Sequence, residues 1–179
     1  MRKLVVLGIC LLSFGLSARA DQFNFTYVGS NSSATGYIAA NSNGDGSFTA
    51  ISGAGIYTNP LIGQRNINLV VNPQAPTGTA DARYPGGVVF TYDDQLFPGL
   101  PDPGKLDVYG LMFDVDLSPN QTDGLNISRD GGSYNGFYGN WLYSDHGSLE
   151  IVATPEPTSI LLLGCCLLGL GHKIRRRLS

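Results

Sequence analysis

Gln22-Phe23-Asn24-Phe25-Thr26-Tyr27 places an aromatic side chain at every second position, with polar residues between. Successive side chains of an extended strand point to opposite faces, so Phe23, Phe25 and Tyr27 share one face and bury together. Short runs of the same kind follow at 34–40, 47–52, 67–71, 88–92, 109–117, 125–128, 134–138, 141–143 and 149–152. Clusters of Asn, Gly, Asp and Pro separate them, which is turn chemistry: Gly and Asn tolerate positive φ, and Pro fixes φ. The helical period is absent from this stretch. The pattern predicts an all-β body, an antiparallel β-sandwich or partly closed barrel, because no connection is long and helical enough for a parallel crossover. Segments 72–78 and 97–104 concentrate prolines, which cannot donate to a central ladder, and are expected at the rim.

The chain has 179 residues, of which 14% are charged, with 24 Gly and 10 Pro. That length accommodates one ordinary domain with appendages, and an aromatic content of 10% supplies enough apolar surface for a core. Its formal net charge of -3 hides a segregation: seven of the eleven Lys and Arg lie at the two ends, leaving residues 21–154 with a net of -9. Nucleic acid is therefore excluded as a partner, since phosphate binding needs clustered cations.

The N-terminus runs from Arg2 and Lys3 through an apolar stretch, 4–16, to Ala18-Arg19-Ala20. Positive start, short apolar run and small residues two apart form a secretory signal peptide, residues 1–20, with signal peptidase expected to cut after Ala20. About 13 apolar residues are too few to cross a bilayer core, which takes about 20. At the other end, residues 154–179 carry Pro155-Glu156-Pro157, an apolar segment 160–171, and Arg175-Arg176-Arg177. Positive charge after an apolar helix is retained on the cytoplasmic side, so the acidic body 21–153 is expected outside, in agreement with the signal peptide. As a helix, 158–172 would span about 22 Å against a bilayer core of about 30 Å, long enough only if the flanking cations snorkel. Cys10, Cys165 and Cys166 all lie in these end segments, so the body has no thiol and depends on its core alone.

Pro155-Glu156-Pro157, the apolar segment and the terminal arginines together resemble a PEP-CTERM sorting signal, the tail recognised by exosortase in bacteria that secrete exopolysaccharide. The resemblance implies a transient inner-membrane anchor, processing near Pro155-Glu156-Pro157, and release or re-attachment of the body at the cell surface. The segments 89–97, 106–113 and 125–127 with Tyr134 are also similar to the bodies of many small PEP-CTERM proteins, a resemblance that brings no activity with it.

Candidate chemistry in the body is sparse. The aromatic residues Tyr134, Phe137, Tyr138, Trp141 and Tyr143 are the binding candidates, because flat rings stack on sugars; they serve equally as core of a disulfide-free domain. Asp114 and Asp116 alternate with Phe113, Val115 and Leu117, so their carboxylates share a strand face about 7 Å apart, a spacing compatible with an inverting glycosidase, a calcium clamp or a plain solvated face. Asp93 and Asp94, adjacent in a strand, point to opposite faces unless a bulge intervenes. Asn41-Ser42-Asn43-Gly44-Asp45-Gly46 has the start of a calcium loop, but Ser52 stands where the closing acid belongs, and a hairpin turn explains the same residues. His146 is the single body histidine, which rules out a multi-histidine zinc site and a Cys-His pair, and no Gly-x-Ser-x-Gly elbow accompanies it. The sequence therefore points to a non-enzymatic, exported surface or extracellular-matrix protein without cofactor or metal, structural or adhesive in role. The alternatives are an exopolysaccharide-binding module and a calcium-dependent glycosidase.

Overall fold

A computed structural model describes residues 21–139 and 143–154. The strands are β1 (Asp21–Gly29), β2 (Ser33–Ser42), β3 (Phe48–Asn59), β4 (Gly63–Leu69), β5 (Ala80–Tyr84), β6 (Val88–Tyr92), β7 (Gln95–Leu96), β8 (Leu111–Ser118), β9 (Gln121–Asp130), β10 (Ser133–Tyr138) and β11 (Tyr143–Ala153). All the pairings among them are antiparallel. Eight follow one another in the order β2-β1-β11-β10-β9-β8-β4-β3, and β3 pairs back onto β2. The sheet closes into a barrel.

Of the two architectures expected, closure favours the barrel over the sandwich and makes it fully rather than partly closed, and the registers show how this is reached. Phe23 faces Ile38, which faces Gly53; Leu69 faces Phe113, which faces Leu125, then Tyr138, then Tyr143. Because β11 pairs with β10 through its first half and with β1 through its second, one circuit of the wall returns displaced by about ten residues, a stagger that tilts the strands by roughly 35–45°. Glycines on the inner face permit the tight coiling. A Cβ on Gly36 would run into the Ala54 carbonyl oxygen and stand 2.8 Å from Phe25 Cε1; the residue paired with it across the closing seam is another glycine, Gly55.

Side chains fill the interior. Phe23, Phe25, Tyr27, Ile38, Tyr57, Ile67, Leu111, Phe113, Val115, Leu125, Ile127, Leu149 and Ile151 are all buried there, with the Phe25 and Phe113 rings stacked at 5.4 Å between centroids. The period-two reading of β1 thus holds residue by residue: Phe23, Phe25 and Tyr27 point inward. At the end where the chain enters and leaves, Leu96 and Leu106 enter the core, and the proline-rich segment between them is pinned by Lys105 N–H donating to Tyr134 Oη (2.9 Å) and Tyr134 Oη donating to Asp102 (3.2 Å).

A second layer lies outside the barrel. β5 and β6 form a separate hairpin whose Ala80, Ala82, Tyr84, Val88, Phe90 and Tyr92 pack on Met112, with Val70 and Phe137 beside them. Met112 alternates with the inward Leu111 and Phe113, so it is the outward anchor of β8. Of the expected run at 141–143, Tyr143 opens β11, and Trp141 and Leu142 lie outside the described residues, as do the signal peptide and the sorting signal from residue 155 onward. Among the described residues no helix is long and apolar enough to cross a membrane.

Candidate functional site

The aspartates of β8 stand on the outer wall of the barrel, as their alternation predicts, and the hairpin gives them a setting. Gly124 pairs with Asp114, and the absence of a side chain there lets the Tyr84 ring lie flat: a Cβ would stand 2.6 Å from Tyr84 Cε2 and 2.8 Å from Met112 Cε. Tyr84 Oη then donates to Asp114 Oδ1 at 2.6 Å. Burial raises the Tyr84 phenol well above its ordinary value, and the bond to Asp114 and its charge raise it further, so this hydroxyl stays protonated and acts as a donor. Two residues on, Asp116 accepts a long bond from Asn68 Nδ2 (3.4 Å).

Alongside these carboxylates runs an open groove. One hollow of about 370 Å³ is lined by Arg83, Tyr84, Asp114, Gln121 and Thr122 among others; an adjoining one of about 450 Å³ contains Asp116 and shares Asn120, Gln121 and Thr122. The groove lies by the β8–β9 turn, at the end of the barrel opposite the chain termini. Its lining combines the Asp114 and Asp116 carboxylates, the Asn120 and Gln121 amides and the Thr122 hydroxyl with apolar surface from Val70, Ala82 and Pro85. Among the described residues no three His, Cys, Asp or Glu converge to hold a metal ion. Arg83 and Tyr84 are supplied by β5, whose Ala80-Asp81-Ala82-Arg83-Tyr84 alternates small apolar with charged residues; that weak period-two signal is the one trace of them in the sequence.

The aromatic candidates do not form a common platform. Tyr134 and Tyr138 point into the barrel core, Tyr143 packs against it from the inside, and Phe137 turns outward beneath the hairpin layer. The physical reason is their strand parity: on β10, even-numbered positions face in and odd-numbered positions face out. Tyr27, Tyr57, Tyr138 and Tyr143 gather instead at the end of the interior remote from the termini, where Tyr143 Oη and the Arg65 Nε are buried without a hydrogen-bond partner. Asp145 closes this end. Its carboxylate accepts from Ser30 N–H (2.9 Å), Asn31 N–H (3.0 Å), Ser32 N–H (2.8 Å) and Ser32 Oγ (2.7 Å). Burial alone would raise this carboxyl, but those donors outweigh it and hold it below the usual carboxylate range. Tyr27 Oη also donates to the Asp145 carbonyl.

Asp93 and Asp94 form a knuckle between the two layers. Asp94 has φ of 58°, so the strand breaks there and both carboxyls become buried instead of projecting to opposite faces. Asp94 accepts from Asn72 N–H (2.9 Å) and Met112 N–H (3.3 Å); its own N–H donates to the Gly110 carbonyl, and its carbonyl accepts from Ala50 N–H. One residue thereby ties β3, the β4–β5 loop and the start of β8. Burial raises Asp94 to about 8 against the lowering effect of those two N–H donors. Burial likewise raises Asp93 to about 7, with the adjacent, hydrogen-bonded Asp107 carboxyl adding to the shift.

The remaining candidates are turn and surface residues. Asn43, Gly44 and Asp45 make a hairpin turn between β2 and β3: Asn43 N–H donates to the Ser47 carbonyl, Asp45 accepts from Ser47 N–H (2.9 Å) and Oγ (2.6 Å), and Gly44 and Gly46 take positive φ. The hydroxyl and amide of Ser47 hold the Asp45 carboxyl below its ordinary value. His146 sits on the outer wall, where one ring nitrogen, Nδ1, faces both Asp130 Oδ2 at 4.0 Å and Ser133 Oγ at 3.4 Å. No family model, curated protein or solved structure matches the chain.

Proposed function

We propose that this chain is an exported, exosortase-processed protein of the bacterial cell surface or extracellular matrix, structural or adhesive in role and without a catalytic step. Signal peptide 1–20 and sorting signal 154–179 deliver it by way of a transient inner-membrane anchor. The observation that supports this reading is the position of the folded body between the two addresses. β1 begins at Asp21 and β11 ends at Ala153; Phe23 pairs with Ala153, and Thr154 N–H and Oγ1 both donate to the Gln22 carbonyl at 2.8 Å. The described ends of the body, Asp21 and Thr154, therefore lie at one rim, and every pairing of the barrel ladder is made by residues between them.

A second reading, exopolysaccharide binding, is favoured by the groove beside Asp114 and Tyr84 rather than by the aromatic residues first considered, because the groove is open, lies at the end opposite that rim and sets hydrogen-bonding side chains beside apolar surface. For the leading reading, replacing Pro155, Glu156 and Pro157 by alanine is expected to leave the protein in its own cells as an uncut, inner-membrane-bound form. Fractionation with immunoblotting checks this; a variant processed and distributed like the wild type overturns the sorting assignment.

A further inference from the structure

The charge segregation of the sequence becomes a spatial one in the barrel. Between residues 21 and 71 the ionisable side chains are Asp21, Asp45, Arg65, Tyr27, Tyr37 and Tyr57, of which Tyr27 and Tyr57 are buried in the core. Asp21 lies at the chain-entry rim, Asp45 in the β2–β3 turn, and Arg65 shares the inward parity of Ile67, so no formal charge projects from the outer face of β1 to β4. The registers assemble that face into a grid. Asn24 stands beside Tyr37, Tyr37 beside Ala54, and Ala54 beside Asn68; the next row is Thr26, Thr35, Ile56 and Asn66; the next is Val28, Ser33, Thr58 and Gln64. Val152 of β11 continues the first row. Acidic groups resume only at its borders, Glu150 on β11 and Asp114 and Asp116 on β8.

This wall also exposes apolar surface. Val28, Tyr37, Ile56 and Val152 are 40–51% exposed, while the intervening Thr, Ser, Asn and Gln each both donate and accept hydrogen bonds. We propose that the outer wall of β1 to β4 is an isologous docking surface for a second copy of this chain. Electrostatics favours that occupant. A body of net charge -9 repels its own kind everywhere that aspartates project, and the wall is where two copies can meet without bringing like charges together. Depletion of charge with retained Tyr, Ile and Val is the composition of an interface core, and side chains that act as both donor and acceptor satisfy one another across a two-fold axis. A stable pair needs roughly 800 Å² from each partner. The inference goes beyond sorting and does not depend on it.

The test is sedimentation velocity on the protein in the form in which it is purified from its own cells, over a wide concentration range and at low and high salt. The expected result is a monomer–dimer equilibrium that tightens as salt rises, since screening relieves repulsion between the anionic bodies, the reverse of an interface held by ion pairs. Tyr37→Asp is expected to weaken it at least tenfold, with near-ultraviolet circular dichroism unchanged because the side chain is outward and half-exposed. Ile56→Asp serves as the second variant if the first disturbs the fold. A monomer at every concentration and salt, or a dimer indifferent to both substitutions, overturns the proposal. So does a monomer whose retention on immobilised neutral polysaccharide is lost in Tyr37→Asp, which would assign the wall to a glycan.

Discussion

Gly36→Val is expected to prevent closure of the barrel, with the folded form lost or destabilised by more than about 3 kcal/mol, beyond the usual cost of an overpacked core. The added carbons have no direction in which to relax. A Cβ at this position meets the Ala54 carbonyl oxygen, Gly55 Cα at 2.7 Å and the Phe25 ring at 2.8 Å, and two of those three atoms belong to backbone of the neighbouring strand. Accommodation therefore requires β2 and β3 to separate, and theirs is the pairing that turns an eight-strand sheet into a cylinder. Urea denaturation followed by tyrosine fluorescence checks the effect. Gly44→Val is the control: it sits in a turn with open space around it, and its cost is confined to the strained positive φ of 87°.

Acid is expected to stabilise this domain relative to neutral and alkaline pH. In the unfolded chain Asp93 and Asp94 ionise near 3.8, whereas in the barrel burial raises them to about 7 and about 8. Between those limits the unfolded state binds fewer protons than the native state, so stability declines as pH rises from about 4 and levels off above about 8. The expected loss across the range is on the order of 3 kcal/mol, discounted from the full linkage of two independent groups. Asp145 acts in the opposite sense: held low in the folded state, it contributes stability above about 3.8 that disappears as pH falls further. The optimum should consequently lie near pH 4 to 5. Urea midpoints measured from pH 3 to 9 check this, and Asp93→Asn should flatten the decline; a midpoint rising from pH 4 to 8 would sink the assignment.

Much of the barrel was legible in the sequence because inward residues are large and outward ones polar. Phe23, Phe25 and Tyr27 alternate without interruption, and β6 occupies the segment expected for it, Val88–Tyr92. Closure was not legible. It depends on stagger and on Gly36 facing Gly55, and a glycine in a strand-like run signals a turn as readily as a tight wall. The second half of β3, Gly53-Ala54-Gly55, was hidden for the same reason. Sequence alternation correctly placed Asp114 and Asp116 on one face but could not bring Tyr84 from thirty residues away. The aromatic run at 134–143 illustrates the opposite failure: composition suggested a shared surface, while parity on β10 and β11 sends Tyr134, Tyr138 and Tyr143 inward and Phe137 out.

What bears most directly on the central claim, a closed barrel delivered beyond the inner membrane and trimmed at both rims, is intact-mass spectrometry of the protein recovered from its own cells. The account predicts a species beginning at Asp21 and ending close to Pro155-Glu156-Pro157, found outside the cytoplasm. A chain running from Met1 to Ser179 and recovered whole from the cytosol would contradict it.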